Sequence, residues 1–248
     1  MSIVDINGKP RWHPIWDGNP IIKRPTEPGQ ALTLVSAPHA RPYIVYPFSE
    51  WSGWTFNKQF KAREHIARLY LTYKERIIGE RIRDKIGPYV LIEPYTKHVN
   101  LRWPMKAWQL LVNSRPDLTF VQHTHDKSEI LRGVTPIRAT FREACGLILT
   151  SRLYVRSESG LIHAAAALKK PTVTIWGGCM DYEVMAGYPK QRLVLNYTKG
   201  SPCGKWLPCR HCALAMAGIS VARVSETITA ALLEEYGMEG VSSATAIR

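Results

Sequence analysis

The stretch that decides the fold is Tyr154-Val155-Arg156-Ser157-Glu158-Ser159-Gly160-Leu161-Ile162-His163, which continues through four alanines to Leu168. An apolar segment runs into a short polar turn and then into an alanine-rich segment, an order that predicts a strand, a turn and a helix. The backbone N–H groups of Ser159, Gly160 and Leu161 would point outward at the start of that helix, where anions bind. The stretch therefore predicts a phosphate site, although such helices also occur in doubly wound folds without one.

The sequence on both sides of this stretch alternates between strand-like and helix-like segments. The predicted strands are 89–92, 118–122, 153–155 and 172–176, and the predicted helices are 104–113, 140–149, 160–168 and 220–236, the last with Ser220 as its cap. Such alternation predicts an α/β fold with right-handed crossovers and a parallel sheet, whose ligands bind beyond the carboxyl ends of the strands. Residues 185–212 are interpreted as loop-rich.

The N-terminal part of the chain has a different character. Residues 1–47 are rich in proline, and short strands are predicted at 32–36 and 43–46. Residues 57–86 contain no proline and have apolar residues at helical spacing, which predicts one long amphipathic helix or two consecutive ones. The polar face of this segment is strongly basic, and it is interpreted either as a solvated face or as a surface that meets a polyanion.

Composition sets limits on the class of protein. The chain has 248 residues, of which 45% are hydrophobic, so it can bury a sizeable core. Neither a membrane-spanning run nor a signal-peptide layout is recognised, which favours a cytoplasmic location. A net charge of +13 attracts polyanions such as nucleic acid, phosphorylated glycolipid or nucleotide phosphates. Five cysteines, an odd number, favour a reducing compartment over a secreted disulfide framework.

Several segments together resemble a known family. Residues 158–171 and 173–178 resemble the donor-binding signature of glycosyltransferase family nine, the heptosyltransferase-like enzymes. Residues 91–97 and 100–104 resemble the first strand and loop of the C-terminal domain in that family. Residues 186–188, 202–204 and 209–212 resemble its late cysteine-containing loop. The resemblance extends over roughly residues 87–236.

The resemblance implies a GT-B-type architecture, in which two Rossmann-like parallel-sheet domains face a cleft. It divides this chain into a shortened N-terminal acceptor-side region with a basic linker helix (1–86), a nucleotide-sugar-binding Rossmann-like domain (87–240) and a tail (241–248). Fewer than ninety residues precede the recognisable half, so the N-terminal region is truncated. A partner subunit, or a second copy in a homo-oligomer, could supply what is missing.

The resemblance also implies donor-binding residues. Glu158 takes the position of the acidic residue that contacts the donor, Ser159 and Gly160 offer amides to the diphosphate, and His163 lies one turn into the helix. Further donor-binding candidates in the loop after the first strand are Thr96, Lys97 and Arg102. The family usually has a lysine two residues before its Trp-Pro pair, where this chain has Leu101, so Lys97 or Arg102 would have to compensate.

The catalytic base is the least defined part of the predicted site. Family members are inverting and require no metal for the chemistry, and a carboxylate or imidazole must come within about 3 Å of the acceptor hydroxyl. Asp17 and His98 are the catalytic candidates that we favour. Other groups that could serve are His13, Glu50, Glu64 and His65.

Two polar clusters are open to more than one interpretation. Cys203, Cys209 and Cys212, with His211 and Cys179 nearby, could form a structural zinc site, remain free thiols or form a disulfide. His123, His125 and Asp126 follow a predicted strand and could bind a nucleotide base or belong to a solvated loop.

The leading functional hypothesis is an inverting glycosyltransferase that moves a sugar from a nucleotide-diphosphate donor to a hydroxyl on a polyanionic acceptor, namely the lipopolysaccharide core or a related surface glycan. One alternative is a DNA glycosyltransferase that modifies hydroxymethylated bases of bacteriophage-type DNA, because the net charge and the basic helix would suit a duplex. Another is a non-catalytic sugar-nucleotide-binding subunit. A zinc-dependent nucleic-acid module rests on the cysteine loop alone.

Overall fold

The computed structural model describes Trp12, Pro14 and residues 17–19, 68–182, 188–205 and 207–237. The strands predicted at 32–36 and 43–46, the helix predicted over 57–67, the tail 241–248 and the candidate bases His13, Glu50, Glu64 and His65 lie outside these residues.

The described residues form an α/β fold. Its strands are β1 (Val90–Glu93), β2 (Phe120–Thr124), β3 (Thr135–Arg138), β4 (Leu153–Ser157), β5 (Thr172–Trp176) and β6 (Gln191–Leu195). Its helices are α1 (Tyr73–Ile86), α2 (Met105–Asn113), α3 (Phe141–Thr150), α4 (Gly160–Ala167), α5 (Arg210–Ala217) and α6 (Val221–Tyr236), with a 3₁₀ turn at Val99–Leu101.

All six strands run parallel in one sheet, in the order β3-β2-β1-β4-β5-β6. The four inner strands are buried along their whole length, which explains their continuous apolar runs. The chain order reverses between β1 and β4, where Ile92 lies opposite Val155. In open α/β sheets the crevice at such a reversal, beyond the carboxyl ends of the strands, is where ligands bind.

Helices cover both faces of the sheet. Val90 and Ile92 of β1 pack in one apolar core with α2 and α6, whereas Leu91 between them packs in a second core with α3 and α4. This division follows from the alternation of side chains along a strand. Within the first core, the indole of Trp103 donates to the carbonyl of Ile219 over 3.0 Å, which attaches the start of α2 to the approach to α6.

Helix α1 lies against α3 at two glycines. A Cβ added to Gly146 would stand 1.9 Å from the carbonyl oxygen of Glu75, and one added to Gly79 would stand 2.4 Å from the carbonyl oxygen of Gly146. The backbones therefore approach more closely than side chains would allow. Because Gly79 is the buried residue of α1, the basic residues fall on its exposed face.

The structure corrects four predictions of local structure. Residues 68–72 are not helical, and α1 begins at Tyr73 after a capping box formed by Thr72 and Glu75. The region 185–212 contains strand β6 and the first residues of α5. The second strand runs two residues further than predicted, to Thr124. Strand β3 was missed because it contains Pro136, which an edge strand tolerates.

Within the described residues, no single helix is long and apolar enough to cross a bilayer. Helices α5 and α6 pass that test only when taken together, and the chain bends by 60° between them.

Candidate active site

Two loops meet at the edge of the sheet where the chain order reverses. The loop after β1 contains Thr96, which is buried, and Lys97, which is exposed. The turn after β4 contains Glu158, Ser159 and Gly160. Since β1 and β4 are neighbouring parallel strands, their carboxyl ends lie side by side. The structure thus brings the two groups of predicted donor-binding residues to the same edge.

The start of α4 is open at Gly160. No described atom lies within 4 Å of the place where a Cβ on Gly160 would be, so a ligand can approach this backbone closely. Ser159 is the N-cap, and its hydroxyl accepts from the N–H of Leu161 over 3.2 Å. The N–H of Leu161, one of the three that we expect to face an anion, is thus already engaged by this cap; anion binding by these N–H groups stays a prediction.

The end of β4 and the first residue of the following turn are buried polar groups. Glu158 is 8% exposed and Ser157 is 1% exposed. The Ser157 hydroxyl has no hydrogen-bond partner among the described residues. Buried hydroxyls are normally satisfied, so this one has capacity for a ligand or a water molecule.

His163 contacts the phenol of Tyr188. Its Nδ1 lies 2.6 Å from the hydroxyl of Tyr188, and the two rings meet edge to face. Burial lowers the pKa of His163, and the charge of Arg156 lowers it further. The ring is therefore neutral near pH 7, close to the start of α4.

Arg102 stabilises its own loop. Its Nε donates to the carbonyl of Thr96 over 2.8 Å, and its guanidinium lies 5.1 Å from the centre of the Tyr95 ring. The guanidinium thus supports the loop backbone, and its role in neutralising a diphosphate stays a prediction. Lys97 and Arg102 are both exposed cations of this loop.

His98, one of the two favoured bases, caps the 3₁₀ turn. Its Nδ1 accepts from the N–H of Asn100 over 3.3 Å. Burial lowers the pKa of His98 from its usual 6.5. A neutral ring with one nitrogen engaged in a cap has a defined orientation at the edge of the site.

Asp17, the other favoured base, lies in a segment that is attached to the start of α3. Its carboxylate accepts from the indole of Trp12 over 2.7 Å. Arg142 of α3 donates to the carbonyl oxygens of Pro14 and Tyr70 and forms an ion pair with Glu75. These contacts place the segment beside α1 and α3.

A buried ionic network that the sequence analysis missed lies beneath the site. Glu93, at the end of β1, pairs with Arg156 of β4, and each is 3% exposed. Glu93 also accepts from the hydroxyl of Tyr154 over 2.6 Å and lies 2.8 Å from Nε2 of His125. The register pairs Glu93 directly with Arg156 across the two strands. The only sign of this network in the sequence was that a charged residue, Glu93 or Arg156, directly follows each of the two apolar runs.

The pKa values follow from this network. Burial raises the pKa of the Glu93 carboxyl, but the charge of Arg156 and the nearby imidazoles of His123 and His125 outweigh burial, so the pKa lies well below its usual 4.5. Burial lowers the pKa of His123, but the carboxylate of Glu93, 3.5 Å from its Nδ1, outweighs burial and raises it. Glu93 is thus a stable anion at neutral pH.

The predicted His123, His125 and Asp126 cluster is divided by the structure. His123 and His125 turn towards Glu93, whereas Asp126 pairs with Arg138 over 2.6 Å at the surface. Glu93, His123 and His125 lie close enough to form a metal-binding group. A cation there would compete with the guanidinium of Arg156 for the same carboxylate, so these residues do not favour a metal.

A small cavity of about 140 Å³ lies at the end of the sheet where strands β5 and β6 begin, next to the C-terminal end of α4. Its lining includes Lys169, Lys170 and Lys190. It is smaller than the roughly 300–1,000 Å³ of ligand sites and lies away from the carboxyl ends of the strands. It is therefore not the donor site.

Comparisons with known proteins identify the family. The profile of Glycosyltransferase family 9 (heptosyltransferase) matches residues 71–207, more than half of the chain. The chain belongs to this family. No curated protein sequence matches the chain significantly.

Solved structures show the same fold. ADP-heptose lps heptosyltransferase II of E. coli is 18% identical, with a TM-score of 0.51, over 68% of this chain and 54% of that one. A family 9 glycosyl transferase from Veillonella parvula DSM 2008 is 12% identical, with a TM-score of 0.53, over 67% of this chain and 54% of that one. The iron-containing dodecameric glycosyltransferase TibC of enterotoxigenic E. coli H10407 is 18% identical, with a TM-score of 0.50, over 58% of this chain and 45% of that one.

The chain spans about half the length of these solved relatives. The expectation of an α/β, GT-B-type Rossmann-like parallel sheet is confirmed. The resemblance to the heptosyltransferase-like family is confirmed as well.

Proposed function

We propose that the chain binds a nucleotide-diphosphate sugar at the edge of the sheet between β1 and β4, and transfers the sugar to a hydroxyl group. One observation carries the proposal: the open glycine at the start of α4 lies beside the loop of Thr96 and Lys97, at the reversal of strand order. Family membership supplies the class of reaction.

The diphosphate would lie across the start of α4. Gly160 permits close approach, the helix N-terminus favours negative charge, and Lys97 supplies a full positive charge from the neighbouring loop. Negative charge grows on the diphosphate as the sugar leaves, so these groups would stabilise the transition state more than the bound donor. Glu158 would accept hydrogen bonds from donor hydroxyls.

Transfer would proceed by direct displacement with inversion. The acceptor oxygen would attack the anomeric carbon as the nucleoside diphosphate departs, and a base would take the proton of the acceptor hydroxyl. His98 would serve as that base on the described side of the site, because its lowered pKa keeps it neutral at pH 7. The acceptor's proton would go to Nδ1, the basic nitrogen, which would give up its contact with the N–H of Asn100. Asp17 is the second candidate. The reaction would require no metal.

Lipopolysaccharide core or a related surface glycan is the acceptor that we propose. Support comes from the E. coli relative, which is named as an lps heptosyltransferase. A net charge of +13 would suit a phosphorylated glycan. The DNA alternative and the non-catalytic alternative remain predictions.

We propose that a partner subunit or a second copy of the chain contributes to the acceptor side. The TibC relative is dodecameric, which supports an oligomer. Nucleotide sugars are made in the cytoplasm, and we place the protein there.

Calorimetric titration of the full chain with a panel of ADP-, UDP- and GDP-sugars tests the donor site. Gly160→Val should obstruct the diphosphate, and Glu158→Gln should weaken binding about tenfold, the equivalent of ~1.4 kcal/mol. Glu143→Gln is the matched control, because Glu143 is also an acid at a helix start and glutamine preserves its capping box. Equal affinity for the nucleotide sugar in the wild type and the three variants would refute the assignment of the donor site.

Transfer is tested with the donor that binds. Release of nucleotide would be measured with lipopolysaccharide core acceptor and, in parallel, with hydroxymethylated DNA, together with the mass of each acceptor. A sugar-sized mass gain on the glycan alone would support the proposal, and a gain on DNA would replace it with the alternative. Donor binding without transfer to either acceptor would favour a missing partner subunit or the non-catalytic alternative.

A further inference from the structure

The cysteine-rich loop brings four metal-binding side chains together. Cys203, Cys209, His211 and Cys212 each offer one ligand atom, and these four atoms all lie within 4.8 Å of one another. The sulfur atoms of Cys203 and Cys212 are 3.1 Å apart, and the sulfur of Cys209 lies 2.8 Å from Nδ1 of His211. Three sulfurs and one imidazole nitrogen form one of the ligand sets of structural zinc.

Helix geometry explains how two of the sulfur ligands converge. Cys209 is the N-cap of α5, and Cys212 is the third residue of the helix. These are the positions at which side chains meet in a capping box, so both sulfurs lie at the same end of the helix. The helix N-terminus also favours thiolates, the form that binds metal.

The fourth ligand comes from a separate segment. Cys203 is held in place because its N–H donates to the carbonyl of Gly178 over 3.1 Å, and the N–H of Gly204 donates to the carbonyl of Cys179 over 2.7 Å. The loop thus approaches the start of α5 from the end of β5.

Apolar side chains and one buried amide line the inner side of the cluster, where Cys212 is buried, whereas Cys203, Cys209 and His211 are partly exposed. Leu101, Cys179 and Cys212 pack together, with Met180 against them. Asn100, which is 3% exposed, accepts from the N–H of Cys209 and donates to the carbonyls of Lys205 and Leu207, all within 2.9 Å. Four protein ligands with their neighbouring backbone groups held by a buried amide are typical of structural rather than catalytic metal sites.

The distances agree with a metal site better than with a disulfide. A tetrahedral zinc with bonds of about 2.3 Å places its sulfurs about 3.7 Å apart, so Cys203 and Cys212 need to separate by only about 0.6 Å. A disulfide would use two of the three sulfurs and leave the third beside His211 without a role.

We propose that Cys203, Cys209, His211 and Cys212 hold a structural zinc ion, which fixes the cysteine loop against the segment that follows β1. Through Asn100, this metal positions the segment of Thr96, Lys97 and His98. The site is independent of the proposed transferase activity, because its ligands and its test involve neither donor nor acceptor.

Elemental analysis of the full chain, purified under reducing conditions without chelator, is the first test. About one zinc per chain is expected. A metal-free protein that also fails to take up zinc would overturn the proposal, as would a loss of free thiols showing a Cys203–Cys212 disulfide. Iron at the same stoichiometry would overturn the choice of zinc.

Cobalt substitution tests the ligand set without relying on variants that could fail to fold. The wild-type protein, stripped with chelator and titrated with Co²⁺, should show thiolate-to-cobalt charge transfer and the visible bands of a tetrahedral site. Absence of both would contradict the proposal.

Variants then assign the ligands. Cys209→Ser should abolish stoichiometric zinc, and His211→Gln should weaken retention at least tenfold and shift the cobalt bands. Cys145→Ala, a buried cysteine of the second core, and Cys179→Ser should both retain the metal. If Cys179→Ser lost its zinc while His211→Gln retained it fully, the assignment would be overturned in favour of a four-cysteine site.

Discussion

Replacement of Glu93 by glutamine should destabilise the protein strongly, because it leaves the guanidinium of Arg156 buried without its counter-ion. Both side chains are 3% exposed, and Glu93 also binds Tyr154, His123 and His125. Removal of one member of a buried ion pair costs about 3–5 kcal/mol. With a urea dependence of about 2 kcal/mol per molar, the unfolding midpoint should fall by roughly 2 M.

Urea unfolding followed by circular dichroism measures this change. Glu235→Gln is the matched control, because Glu235 pairs with Lys190 at 2.6 Å but lies 30% exposed, and exposed pairs contribute about 0–1 kcal/mol. In a double variant that combines Glu93→Gln with Arg156→Met, the free energy of unfolding should fall by less than the sum of the two single decreases, because neither charge of the pair is left buried. A Glu93→Gln variant as stable as Glu235→Gln would refute the reasoning.

The effect of Glu93→Gln should depend on pH. The pKa of Glu93 is lowered in the folded protein. Its ionised carboxylate therefore contributes fully to stability above the unfolded-state pKa of about 4.5, and this contribution is lost as the pH falls below 4.5 towards the folded-state pKa. The pKa of His123 is raised in the folded protein. Its protonated ring therefore contributes fully to stability below the unfolded-state pKa of about 6.5, and this contribution is lost as the pH rises through the folded-state pKa. The difference between wild type and Glu93→Gln should therefore be largest between about pH 4.5 and 6.5.

Three further predictions concern packing, capping and titration. Gly146→Ala should cost about 1–3 kcal/mol in urea unfolding, because its Cβ would stand 1.9 Å from a carbonyl oxygen of α1; Gly160→Ala, which meets open space, should cost less, and equal losses would contradict the close approach. Thr140→Ala removes a hydroxyl that accepts from the N–H of Glu143 at the start of α3 and should cost ~1 kcal/mol by the same assay; no loss would show that the cap does not stabilise the helix. Burial lowers the pKa of His163, so its NMR titration midpoint should lie below 6.5, and stability should fall as the pH drops below that value; a midpoint above 6.5 would contradict burial of the ring.

Much of the fold was predictable from the sequence because the inner strands are buried on both faces. Such strands are continuous apolar runs, and alternation with amphipathic segments predicts a parallel sheet. The cap at Ser220 was predictable for a local reason, since its hydroxyl accepts from the N–H of Arg223 within one turn. The turn at Ser159 and Gly160 was equally local.

Edge strands and cross-strand partners were not predictable. Strand β3 contains Pro136, and only its position at the sheet edge makes a missing N–H tolerable. Glu93 and Arg156 are 63 residues apart in the chain, and only the register of β1 against β4 makes them an ion pair. For Arg102, charge alone predicted a role towards a ligand, and only the fold shows that its guanidinium also donates to the carbonyl of Thr96 in its own loop.

The sequence alone determined which residues could form a sheet, which turn could receive a phosphate and which side chains could bind metal, because those properties belong to single residues and their near neighbours. The tertiary structure decided which of them meet. It brought Thr96 and Lys97 to the edge where Gly160 lies, it paired Glu93 with Arg156, and it gathered three cysteines and His211 into one cluster. Strand order and register set these distances, and neither is encoded in a local pattern.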